Sequence, residues 1–365
     1  MINLICYPKK RATQISYRRT CFLIKKHWKT FANTIFLILV FAATLWSVFQ
    51  GENLKQVFRY FRYFDPVYLI PCVLCVLAFI LLESVIIFYL AKKEGTRVRL
   101  SHCCFYSFIG FFYSAITPSA SGGQPMQLIY MRRDNIPTPV ATIILAIVTI
   151  TYKLVLVLFG GIILLLRPTG IMRYLTSIEW WIYIGIGLNI LCIAGLFFVV
   201  FHPGIVRALA TWFFRLMHRI RPPKHPEKQG VRLERLLEQY NGTAEFYKKN
   251  PHVVLHVLFI TILQRCCLFA VTWLTYRAFH LSGESFLTIL VLQAMISVAV
   301  DMLPLPGGMG ISENLFLLLF LPLFGETLIL PGMIISRGIS YYTQLLISGI
   351  MTIVAGFILK DKRKE

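Results

Sequence analysis

Two stretches of the chain interrupt long apolar runs with the same residue types. The first reads Thr117-Pro118-Ser119-Ala120-Ser121-Gly122-Gly123-Gln124-Pro125, and the second Leu303-Pro304-Leu305-Pro306-Gly307-Gly308-Met309-Gly310-Ile311-Ser312-Glu313. Proline stops an incoming helix, and glycine lets the backbone turn back tightly. A helix leaving from near Pro125 or Gly310 then points free N–H groups and its positive dipole end at the turn. Such an end suits an anion such as a lipid phosphate. Around the first break Thr117, Ser119, Ser121 and Gln124 add hydroxyl and amide groups; the second offers Pro306, Gly307, Gly308 and Glu313. The plainer alternative is that both breaks only turn the chain and satisfy each other.

Six charges lie in or beside apolar runs: Glu83, Lys153, Arg265, Asp301, Glu313 and Arg337. A charge at the centre of a bilayer costs about 2.5–3.5 kcal/mol on the insertion scale, so these groups are expected to face one another. The expected partners are Glu83 with Lys153, and Arg337 with Asp301 or Glu313. Lys153 and Arg337 follow their glycine pairs at nearly equal distance, which makes them the matched functional candidates. Glu83, Arg265 and Asp301 are expected as charge partners. They either line a polar route for a headgroup or simply lock the helices, with Glu313 capping its own helix.

The elements that must hold these groups are membrane helices. The 365 residues are 57% hydrophobic and 15% charged, with mean hydropathy +0.69. That balance excludes a soluble enzyme and a disordered chain. Apolar runs at 31–50, 67–91, 138–166, 180–201, 252–279 and 329–359 are each long enough to span a bilayer. Runs at 103–117, 286–303 and 311–325 are shorter. The expected fold is therefore an all-α polytopic membrane protein, with about six full spans and two re-entrant hairpins. Two short full spans in place of a hairpin return the chain to the same side equally well.

The net charge of +21 reads as topology rather than as a nucleic-acid surface. Residues 1–30 carry eight lysines and arginines and no acid, which sets that end in the cytoplasm. Threading from there puts the basic groups near 92–100, 132–133, 202–251 and 360–365 on the same side. Both termini are then cytoplasmic, in a cell membrane. The organisation expected is a basic segment 1–30, a first repeat 31–166, a second repeat 180–201 with 252–359, a cytoplasmic insertion 202–251 and a tail 360–365. The repeats run in opposite directions, and interrupted helices at corresponding positions of two halves point to a transporter-like site. Within the insertion, 204–220 is amphipathic at helical spacing, as for a helix lying on anionic lipid. Residues 230–249 read as a charged, solvated helix.

Other signals are weaker. Of nine cysteines, seven (Cys72, Cys75, Cys103, Cys104, Cys192, Cys266 and Cys267) lie in or at the ends of apolar runs and read as small helix residues, and the C-x-x-C at Cys72 and Cys75 has no second half. His252 and His256 lack a third ligand. No metal site or cofactor is expected.

Taken together, Thr117-Pro118, Gly122-Gly123-Gln124-Pro125, Arg132-Arg133, Tyr152-Lys153-Leu154 and Pro306-Gly307-Gly308-Met309-Gly310 with Glu313 resemble the transmembrane region of lysylphosphatidylglycerol synthases, over roughly 30–360. Many members of that family carry Glu-Arg-Leu where this chain has Tyr152-Lys153-Leu154. The resemblance implies a flippase-like protein moving phospholipid, such as lysyl-phosphatidylglycerol, between leaflets. In the full-length synthases a C-terminal cytosolic domain transfers lysine from tRNA; a chain ending at Glu365 is expected to lack it. Two other readings stay open: a phosphatidylglycerol lysyltransferase or its membrane subunit, connected with cationic-peptide resistance, and a non-catalytic membrane partner. The partners expected are anionic phospholipid and, on the subunit reading, a separate lipid-modifying enzyme.

Overall fold

The computed structural model describes residues 64–117, 120–220, 226–303, 308 and 310–359, all within one unit, Lys55–Glu365. The expected basic segment 1–30, the span 31–50, residues 221–225, the tail 360–365, and Pro118, Ser119, Pro306 and Gly307 lie outside the described residues.

Every described element is helical. A 3-10 turn (Pro66–Tyr68) leads into α1 (Leu69–Lys93), followed by α2 (Leu100–Ile116), α3 (Gly123–Arg133), α4 (Thr138–Leu166) and the short α5 (Thr169–Leu175). Then come α6 (Glu179–Phe201), α7 (Pro203–Ile220), α8 (Pro226–Lys249), α9 (Pro251–Ala278), α10 (Phe286–Val300) and α11 (Ile311–Arg337). A π-helical turn (Gly338–Thr343) passes into α12 (Gln344–Ile358). Five stretches are long and apolar enough to cross a membrane: Pro66–Lys93, Thr138–Leu166, Glu179–Phe201, Pro251–Ala278 and the composite Ile311–Ile358. The protein is an all-α polytopic membrane protein.

Local chemistry sets the boundaries. Asp65 caps the opening turn by accepting from the Val67 N–H at 3.0 Å, while its own N–H donates to the Ala278 carbonyl and so joins the start of α1 to the end of α9. Pro251 occupies the first turn of α9, where a missing N–H costs nothing. Ser285 caps α10 by accepting from the Thr288 N–H at 3.1 Å. Four long spans fall within two residues of the apolar runs at their described ends.

The fifth differs. The runs 311–325 and 329–359 are joined without a loop, and the chain bends at Gly325 (φ 71°, ψ 165°), a backbone shape that disfavours any side chain. The first part of α11 thus acts as a half-helix.

Both hairpins return to their starting level. His102 at the foot of α2 lies 2.7 Å from Asp134, which caps the far end of α3, and the Tyr106 hydroxyl donates to the same carboxylate. With 11 residues α3 is only about 16 Å long, too short for a crossing of about 30 Å. In the second hairpin Phe324, at the end of the half-helix, stacks edge-on against Phe279 just beyond α9, near where α10 began. Short helices that fold back are therefore preferred over pairs of full spans.

Contacts across the bundle exchange when two helical hairpin units, α1 to α4 and α9 to α12, are swapped. The α2 helix packs on α12 as α10 packs on α4, and α1 packs on the π turn as α9 packs on α4. The helices α1 and α9 pack on each other, and α6 flanks α4 and α10. Phe79, Phe269, Phe316 and Phe320 fill one core; Ile87, Tyr106, Ile144 and Tyr247 fill the other.

The insertion is more closely held than its composition indicates. One face of α8 is buried through Leu237, Tyr240, Ala244 and Tyr247. Tyr247 donates to the Leu90 carbonyl at 3.0 Å, Tyr240 to Val199, and Thr243 to Glu94 at 2.7 Å. Helix 230–249 is therefore docked on the ends of α1 and α6, not solvated all round. Charged residues on its other face masked the stripe.

Candidate functional site

The first break is built by Thr117. Its backbone is extended (φ −116°, ψ 145°), the shape a residue before proline is forced to take. Its hydroxyl donates to the Tyr113 carbonyl at 2.6 Å and accepts from the Gly122 N–H at 2.9 Å, closing the turn. Gly123 is required by contact: a Cβ there would lie 2.1 Å from the Ser114 hydroxyl and 2.6 Å from the Gly110 carbonyl. Helices α2 and α3 can approach this closely only without side chains at the crossing. Past the turn, Gln124 donates to Thr149 on α4, and Gln127 donates to Glu83 on α1 at 2.8 Å. Ser121 and Gln124 are exposed.

The second break is built by charge. Gly308 and Gly310 both take positive φ, 66° and 83°. Glu313 accepts from the Gly310 N–H at 2.6 Å and from Ser312, and its other oxygen takes Nε and Nη2 of Arg337, both at 2.9 Å. One carboxylate therefore caps the outgoing half-helix and ties it to the closing span. Arg337 also lies over the Tyr341 ring, and the Tyr341 hydroxyl donates to the Ala115 carbonyl at the end of α2.

The deepest polar cluster joins the two units. Lys153 on α4 donates to Asp301, at the end of α10, at 2.7 Å and to Asn189 on α6 at 3.4 Å. The Tyr152 hydroxyl donates to the second oxygen of Asp301 at 2.8 Å. Lys153 and Asp301 side chains are 10% and 11% exposed, so the pair is nearly dry. The Arg265 guanidinium stacks on the Tyr152 ring at 3.2 Å and feels both Asp301 and Glu83 electrostatically. Gln264 beside it donates to the Phe79 carbonyl.

Of the expected partners, Arg337 with Glu313 is found. The pairing of Glu83 with Lys153 is not: Lys153 is taken by Asp301 and Asn189 on the α6–α10 side, whereas Glu83 meets Gln127 on α3. Thr117, Gly122, Gly123 and Gln124 gather at the first break, and Gly308 and Glu313 at the second. Lys153 and Arg337 serve separate carboxylates. Sequence reasoning passed over Gln127, Asn189, Gln264 and Tyr341. Polar residues inside apolar helices were the available signal for the first three.

The two tyrosines make a cross-connection that no motif signals. Tyr341 on the second closing span holds the end of α2, and Tyr152 on the first holds the end of α10. Each incoming half-helix is thus fastened by the other unit. Among the described residues no cluster of three metal-ligating side chains forms.

No curated protein matches the chain. The family described as lysylphosphatidylglycerol synthase TM region matches residues 34–348, which cover both hairpins and the charge cluster, and the chain belongs to that family.

Proposed function

We propose that the protein moves a phospholipid headgroup between the two leaflets, along the polar seam between two hairpin units of opposite orientation. The observation that carries this reading is the Lys153–Asp301 pair, a nearly dry ion pair joining the closing span of one unit to the half-helix of the other. Buried ion pairs are weak contributors to stability, because desolvation offsets most of the attraction. Inside a membrane bundle ionisable side chains typically mark a route for polar cargo. The breaks add donors suited to phosphate, and the family description favours an aminoacylated lipid such as lysyl-phosphatidylglycerol as cargo. Both termini face the cytoplasm on this reading, and α7 lies on the anionic inner surface with Leu209 and Trp212 toward lipid.

The test is lipid exposure in reconstituted vesicles. Fluorescent phosphatidylglycerol in the inner leaflet should become accessible to external dithionite with the wild-type protein. Lys153→Ala and Arg337→Ala should abolish the effect while the protein stays inserted. Unchanged exposure in both variants would refute the reading.

A further inference from the structure

Arg265 is the one charged group in the described cluster whose hydrogen-bonding edge is left open. The residue is 3% exposed, yet Nε and Nη2 have no hydrogen-bond partner. These two atoms are not a random pair. Their N–H bonds lie parallel on one edge of the guanidinium, the fork that grips two oxygens of a carboxylate or phosphate. The plane of the group is already fixed by stacking on Tyr152 at 3.2 Å, with Phe79 at 5.7 Å. The two carboxylates that balance its charge are engaged elsewhere. Asp301 receives Lys153 and Tyr152, and Glu83 receives Gln127.

A buried donor without an acceptor is costly, and more so when it is charged. An aliphatic residue would fill the same space without that cost, so an empty fork calls for an occupant. The acceptor must carry two oxygens on one centre and must come from outside the cluster. We propose that the Nε–Nη2 edge of Arg265 is the binding fork for the phosphodiester of a lipid headgroup in transit. The inference rests on the proposed lipid movement, and it names the group that the pathway recognises. The phosphate is held by Arg265, while Lys153 and Arg337 keep their own carboxylates until the headgroup arrives. Recognition is then of the phosphate, not of whatever is esterified to it.

The ligand chemistry has a second source, free phosphate, and the experiment separates the two. Purified protein in detergent is incubated with phosphatidylglycerol, with a galactosyl diacylglycerol of the same acyl chains, or with inorganic phosphate, and retained ligand is read by native mass spectrometry. The wild type should retain phosphatidylglycerol over the phosphate-free lipid. Arg265→Lys keeps the charge but loses the fork, and should lower phosphatidylglycerol retention by about tenfold, the worth of one charge-assisted hydrogen bond. Galactolipid retention should not change. Because Arg265→Lys alone can disturb assembly, the double variant Arg265→Gln with Glu83→Gln removes one charge of each sign and should show the same selective loss. Retention of phosphatidylglycerol at the wild-type level in a monodisperse preparation of either variant would overturn the proposal. So would binding of inorganic phosphate alone, with no preference for the phospholipid. If the wild type exposes no lipid in vesicles but Arg265→Lys still loses bound phosphatidylglycerol, the transport reading fails and the phosphate fork stands.

Discussion

Around its break the first hairpin uses neutral groups, Thr117, Gln124 and Gln127, and the second uses carboxylates, Asp301 and Glu313. Their glycines differ as well. Gly123 is needed because two helices touch at its α-carbon, whereas Gly310 has open space and is needed for its positive φ. The same backbone figure, a half-helix stopped and reversed, is thus reached by close packing in one unit and by charge and backbone conformation in the other. Neutral ties loosen gradually when a bond is lost. A charge tie, once broken, leaves an uncompensated buried ion, so its loss should cost more than the loss of a neutral bond.

The largest effect tests that difference directly. Asp301→Asn leaves Lys153 buried without its carboxylate, and breaking a buried pair from one side costs about 3–5 kcal/mol. Thermal unfolding in detergent should show it as a large fall in midpoint. Replacing both partners, Lys153→Met with Asp301→Leu, should recover much of the loss while lipid exposure stays absent. A double variant as unstable as Asp301→Asn would mean that Asp301 is held chiefly for Tyr152 and Arg265, and the two hairpins would then be less different than they look.

A smaller effect separates the two glycine roles. Gly123→Ala forces a methyl group against the Gly110 carbonyl and should cost about 1–3 kcal/mol by overpacking. Adding Ser114→Ala should not restore stability, since the backbone oxygen remains at 2.6 Å. Full rescue would show that only the hydroxyl was in the way. Smaller again, Thr117→Val removes the two hydrogen bonds that close the first turn, at about 1 kcal/mol each or less. A fall in midpoint as deep as that of Asp301→Asn would overturn the idea that the first hairpin is tied softly.

The spans were legible because their signals are local: apolar length, proline in the first turn, basic residues at the ends. The break at Thr117 was legible for the same reason, since Pro118 dictates the shape of the residue before it. Pairing was less so. Which carboxylate meets Lys153 depends on how α4 is rotated against α6 and α10, and a span with polar residues on several sides leaves that rotation open. For Arg337 the sequence left Asp301 and Glu313 both open, and the bend at Gly325, which folds the half-helix back on the closing span, selects Glu313. Composition misjudged α8 because its buried tyrosines alternate with lysines and glutamates. The Tyr152 and Tyr341 cross-connection was out of reach, because tyrosine is common in membrane helices and neither contact is with a near neighbour in sequence.

The smallest effect lies at the end of α1, where the docked helix α8 meets the bundle. Glu94 caps α1, accepts from Thr243 at 2.7 Å, and has its second oxygen buried without a hydrogen-bond partner. Burial pushes its carboxyl above the ordinary value of 4.5, and the Thr243 bond only partly opposes the shift. The fold therefore favours the protonated form. Its contribution is complete below the unfolded-state value and is lost as pH rises through the higher folded-state one. Glu94→Gln keeps the acceptor for Thr243 and has no proton to lose. The variant and the wild type should melt together in acid, and the variant should gain an advantage as pH rises past the ordinary carboxylate range. An unchanging gap between the two melting curves across that range would mean that water reaches the free oxygen. The joint between α8 and α1 would then be as open as the charge on α8 first implied.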